Sequence, residues 1–154
     1  MDISDSPVAT EGRVTMRQIW NTTYAVGEGC ANYNDDVLMV QWMLQKHFQR
    51  PEKKSLLGTG FKVPMHGTCD QATLDVIRIF QMDLIRHKGD TTKVQMNGQV
   101  FPVRQVQYIE KYTLAYLNYN LRLHYPNYFR NPGLDPKIPQ YLKLLFGRCD
   151  KIQP

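Results

Sequence analysis

Two adjacent carboxylates, Asp35 and Asp36, and a histidine three residues before a cysteine, His66 and Cys69, come nearest to residues whose spacing could do chemistry. Cleavage of a glycosidic bond needs two carboxyls converging on it, and acyl transfer needs a nucleophile beside a base. Asp35 and Asp36 are chain neighbours, so at a helix start they point in different directions and serve as caps and partners of the helix dipole. No second pair at ligand spacing follows His66 and Cys69, as a tetrahedral metal site requires. His47, His87 and His124 stand alone and are expected at the surface or an edge, and Asp135 and Glu110 are isolated. The pattern predicts no catalytic residue, no metal and no cofactor. Aromatic residues are the other candidates, because exposed rings stack on sugars and also hold protein interfaces. Trp42 and Tyr33 fit either use, and Trp42 fits equally well as packing against the C-terminal segment. The tyrosines at 108, 112, 116 and 119 leave the same choice.

The elements that must position these residues belong to a chain of 154 residues, most simply one domain. A hydrophobic fraction of 42% with 21% charged residues is that of a folded protein, and only the first dozen residues read as a flexible lead. Lys and Arg number 19 against 14 Asp and Glu, a net charge of +5. The cations are scattered, and the one dense cluster, "RPEKK" at 50–54, reads as a solvated loop, so no nucleic-acid partner is expected. No apolar stretch is long enough to span a membrane. The start, MDISDSP, has neither a basic nor an apolar segment, so a cytoplasmic chain is expected, exported only by a signal-independent route. Cys30, Cys69 and Cys149 fit reduced, buried thiols better than a disulfide framework.

Hydrophobic spacing predicts a helix over 34–48, with Val37, Val40, Leu44 and Phe48 as its stripe and Asn34 or Asp35 as its cap. Pro51 ends it, and 49–67 reads as loop with room for a short helical turn. A second helix follows Asp70 as cap, with Thr73, Val76, Ile77, Phe80 and Leu84 on one face. Asn97-Gly98 between short alternating runs predicts a β-hairpin at 92–103. A long helix is expected over 103–125, apolar on two sides, then an irregular connector and a short helix stopped near Gly147. No internal repeat is apparent.

The first two helices carry V-x-x-V-Q-x-x-L at Val37, Val40, Gln41 and Leu44, and G-x-x-x-x-x-T-x-x-V-I-x-x-F-Q from Gly67 to Gln81. Over residues 26–86 this pair resembles the peptidoglycan-binding-like domain, a three-helix cell-wall module. Thr73, Val76, Ile77, Phe80 and Gln81 fall on its pattern without a gap. His66, Cys69 and Asp70 depart from it in the turn. The resemblance implies a shallow groove that holds peptidoglycan without cutting it.

The expected architecture is therefore mainly α: a lead over 1–25, a peptidoglycan-binding-like core over 26–86, and a C-terminal elaboration over 87–154 with a hairpin and further helices. The expected function is non-catalytic binding of cell-wall peptidoglycan, which would target a partner to the wall. Candidate contacts are Tyr33, Trp42, Gln45, His66, Gln71 and Arg78, polar or aromatic groups near the turn and the helix rims. The alternative is a protein-interaction adaptor, or a component of a secretion or phage apparatus, that kept the fold and lost the glycan.

Overall fold

The computed structural model describes residues 2–10 and 13–147. Strands β1 (Asp2–Thr10) and β2 (Arg13–Asn21) pair antiparallel, and β3 (Val26–Gly27) pairs antiparallel with β4 (Gln99–Val100). The helices are α1 (Asn34–Phe48), α2 (Pro51–Lys54), α3 (Gln71–Lys88), α4 (Thr113–His124), α5 (Pro126–Arg130) and α6 (Gln140–Gly147). The chain is mainly helical, as expected. Among the described residues, no helix is long and apolar enough to cross a membrane.

Helix α1 is the centre of the molecule, packed by β3, α3, α4 and α6. It is buried nearly all round, which is how a helix enclosed by others differs from one with a single apolar stripe. Val37, Val40, Leu44 and Phe48 meet Val76, Ile77 and Phe80 of α3 in one interior. Leu114, Leu117 and Leu121 of α4 and Leu142 and Phe146 of α6 close that core from the other side.

Two glutamines fix how the helices are joined. Gln41 Oε1 accepts from the Gly67 amide at 2.9 Å, while its Nε2 donates to the Thr68 carbonyl at 3.0 Å and to Thr73 Oγ1 at 2.9 Å. Gln81 repeats the arrangement one joint later: Oε1 accepts from the Gly98 amide at 2.9 Å, and Nε2 donates to the Gln99 carbonyl and Thr113 Oγ1, both at 3.0 Å. Each joint is thus one buried glutamine, one glycine turn and one threonine in the first turn of the next helix. The periodicity of the sequence conceals this repeat, because the two connecting loops differ in length. Gln41→Leu leaves the buried Gly67 amide without a partner and takes one partner each from the Thr68 carbonyl and the Thr73 hydroxyl, and is expected to cost about 2 kcal/mol in urea unfolding.

Several expectations are corrected. The lead at 2–10 is a strand, and β2 delivers Ile19 and Trp20 into the core. Asn118 holds both sides of the Trp20 backbone, accepting from its amide at 2.8 Å and donating to its carbonyl at 2.9 Å. Asn97-Gly98 does turn, but β4 pairs with Val26–Gly27 rather than with 92–96, so there is no 92–103 hairpin. Gly27 lies at φ +124° against the Gly98 carbonyl, where a Cβ would overlap that oxygen. Residues 106–111 form 3₁₀ turns, so the long helix begins only at Thr113 and the four tyrosines share no stripe. Tyr112 is buried, whereas Tyr108 and Tyr119 are exposed beneath Lys111 and Lys88. The connector contains α5. Asp70 caps α3 as expected, accepting from the Thr73 amide at 2.9 Å. Neither Asn34 nor Asp35 caps α1; Tyr33 occupies that position, and Asp36 instead accepts from the Thr23 and Tyr24 amides at 3.0 Å each, tying β2's exit to the helix start.

Candidate functional site

The six candidate contacts do not converge. Trp42 is fully buried: the side of α1 opposite Val40 is covered by Phe146 at 5.5 Å between ring centroids, and its indole Nε1 donates to Asp135 Oδ2 at 2.8 Å. Of the two expected uses of Trp42 the structure shows packing: the C-terminal elaboration closes over that face, which removes Trp42 from the contact set. Tyr33 is 55% exposed and packs against Tyr24, itself 53% exposed, at 4.8 Å. His66 pairs with Asp70 at 3.0 Å, Gln71 bonds Asp75 at 2.9 Å, and Arg78 reaches Glu28 at 3.3 Å; these lie on the outer face of the turn and α3. Gln45 lines a cavity beside α1.

That cavity has a volume of about 640 Å³ and lies between the second half of α1, the 54–65 loop and the residues around Tyr125. A second, of about 350 Å³, adjoins it, and Gln49, Tyr125 and Lys137 line both. Phe48, Leu57, Phe61 and Met65 give the larger cavity an apolar lining, while Lys54, Lys62 and Lys137 are its charged groups among the described residues. Hydrogen bonds cross its floor: Gln45 Nε2 donates to Gln49 Oε1 and Gln49 Nε2 to Tyr125 Oη, each at 3.0 Å. Gln45 Oε1 is buried and has no hydrogen-bond partner, so an acceptor is left over at the floor.

The smaller cavity is walled by a buried ion pair. Lys46 Nζ lies 2.6 Å from Asp135 Oδ2, with both side chains only 2% exposed. The ammonium also sits 5.8 Å and 5.4 Å from the ring centroids of Tyr125 and Tyr128, which stack at 5.9 Å. Burial alone would raise the Asp135 pKa, but hydrogen bonds from Lys46, Trp42 and the Lys137 amide outweigh it and hold the carboxyl below the usual aspartate range. Asp135 is far from isolated, because α1 approaches it across more than half the chain.

His47 is likewise not at the surface. It is 5% exposed, wedged edge-on between Phe48 and Phe80 at 4.8 Å each, with no hydrogen bond to either ring nitrogen. Burial first, then Arg50 and Lys53, lower its pKa to about 4. Asp83 Oδ2 stands 3.9 Å from His47 Nε2, engaged with Lys53 Nζ at 2.7 Å, while His87 Nδ1 lies 3.1 Å from Oδ1. Among the described residues, no group of three or more His, Cys, Asp or Glu is arranged to hold a metal. Cys30 and Cys69 are free thiols, half-buried rather than buried, and burial pushes the pKa of each up. Cys149 lies outside the described residues.

A third cavity, of about 460 Å³, is lined by Lys93, Gln95, Phe101, Arg104 and Lys111 beside the joint of α3 with α4. Of the cavity lysines the sequence marked only Lys54, within the "RPEKK" cluster read as a solvated loop. The only local signal was the Lys, Gly and Pro content of 49–67, which marked a loop without showing what it overhangs. Comparison of the chain with protein-family models, with characterised proteins and with solved structures gives no match.

Proposed function

We propose that the protein is a non-catalytic binding module for bacterial cell-wall peptidoglycan, and that the paired cavities beside α1 hold the ligand. One observation carries this reading. The residues that carry the resemblance pack together: Val40, Leu44, Val76 and Phe80 meet in one core, and Gln41 and Thr73 lock the Gly67 turn. With that frame rigid, an open cavity floored by amides and a tyrosine hydroxyl and walled by apolar side chains supports recognition by hydrogen bonds and contact. Among the described residues, the lining of the larger cavity offers no carboxylate and no paired nucleophile and base.

Sedimentation with purified insoluble peptidoglycan tests the proposal. The protein is expected in the pellet at moderate salt, which screens adsorption by charge alone, with no loss of turbidity from the wall suspension. Protein left in the supernatant contradicts it.

A second reading, a protein-interaction module, is favoured by a different feature. Leu134, Tyr141 and Leu144 are each more than half exposed on or beside α6, and a cluster of exposed apolar groups suits a protein partner. Under that reading the wall pellet is empty and the Leu144→Glu variant loses the partner.

A further inference from the structure

Within the reading of peptidoglycan as ligand, we propose that the larger cavity recognises the carboxylate-bearing stem peptide rather than the neutral acetamido-sugar backbone. The charge argument is local. Lys54 at the end of α2, Lys62 in the loop that follows it and Lys137 in the connector before α6 converge on one cavity, all three are exposed, and among the described residues its lining contains no Asp or Glu. The cations around it are already engaged: Lys46 with Asp135, Arg50 with Glu52 and Lys53 with Asp83. Among the described residues, Lys54, Lys62 and Lys137 form no ion pair, so the uncompensated positive charge of this region faces the cavity. A carboxylate seated there exchanges water for charge-assisted hydrogen bonds in a partly apolar surrounding.

The floor complements a peptide as well. Tyr125 Oη accepts from Gln49, and its own proton is left to donate to a carbonyl. Phe61 supplies apolar contact for short aliphatic side chains such as alanine. A volume of about 640 Å³ accommodates a few peptide residues. Lys137 and Tyr125 come from the C-terminal elaboration, so this subsite depends on residues outside the 26–86 core.

The test uses the full chain and a fluorophore-labelled stem pentapeptide, titrated by anisotropy with its carboxyls free and with them amidated. An N-acetylglucosamine oligomer and a polyglutamate peptide serve as competitors. The free acid is expected to bind roughly tenfold more tightly than the amide. That preference is expected to vanish in the Lys54→Gln, Lys62→Gln, Lys137→Gln triple variant, whose substitutions are all at exposed positions. Equal affinity for both peptides, or displacement by the sugar oligomer at matching concentration, overturns the inference. Polyglutamate binding more tightly than the stem peptide also overturns it, in favour of an acidic protein segment. Wall sedimentation in parallel separates the two levels: a loaded pellet with indifferent peptides sinks this inference alone, while an empty pellet with no peptide binding sinks the peptidoglycan reading too.

Discussion

Asp135→Ala is expected to lower the free energy of unfolding by about 3–5 kcal/mol, the usual cost of stranding one member of a buried ion pair. The substitution leaves the Lys46 ammonium 2% exposed with no anion, and it removes the acceptor used by the Trp42 indole and the Lys137 amide. The stacked tyrosines beneath Lys46 offer partial compensation, because a ring face attracts a cation more weakly than a carboxylate does. The double variant Lys46→Met, Asp135→Asn separates charge from packing. It deletes both charges while keeping an oxygen for Trp42, and is expected within about 1–2 kcal/mol of the parent. A double variant as unstable as Asp135→Ala would mean that the aspartate acts through shape rather than through its partner. Urea unfolding followed by tryptophan fluorescence measures all three, since Trp42 reports on the pair directly.

Acid should destabilise the protein well above the range where carboxylates titrate. His47 takes up a proton near pH 6.5 when the chain is unfolded, whereas the folded protein keeps it neutral down to about pH 4. Between those values the unfolded state binds more protons, so stability falls as pH falls, and above pH 6.5 the group contributes nothing. The full loss amounts to roughly 3 kcal/mol. His47→Phe keeps an aromatic ring between Phe48 and Phe80 and sacrifices no hydrogen bond, because neither ring nitrogen makes one. It is expected to match the parent within about 1 kcal/mol at pH 7 and to exceed it by roughly 2 kcal/mol at pH 4.5. Identical acid slopes in the two proteins would remove His47 as the cause.

The parts of the fold that could be read from the sequence are those with a local physical signature. The ridges of α1 and α3, the Asp70 cap and the short last helix all follow from helical spacing and the chemistry of helix ends. Helical spacing says which side of α1 carries Trp42, but not that Phe146 and Asp135 cover it. The same limit hid Trp20, whose backbone is completed by Asn118, 98 residues away. Asn97-Gly98 signalled a turn truthfully, yet the strand after it pairs with Val26, a partner that no hairpin rule can supply. Of the contact set only Gln45 reached the cavities, because their other wall comes from Tyr125 and Lys137. Gln41 and Gln81 were visible as recurring motif positions, and a polar residue held at a core position of an apolar ridge was the available sign of a structural clamp.

The central claim, that the wall docks in the cavities beside α1, is tested most directly by mapping backbone amide shifts while soluble peptidoglycan fragments are added. The account predicts perturbations concentrated at residues 45–65 and 124–137, with the Tyr24–Tyr33 surface unmoved. Shifts gathered on that tyrosine pair or around Lys93 and Phe101, or no shifts at all, would contradict it.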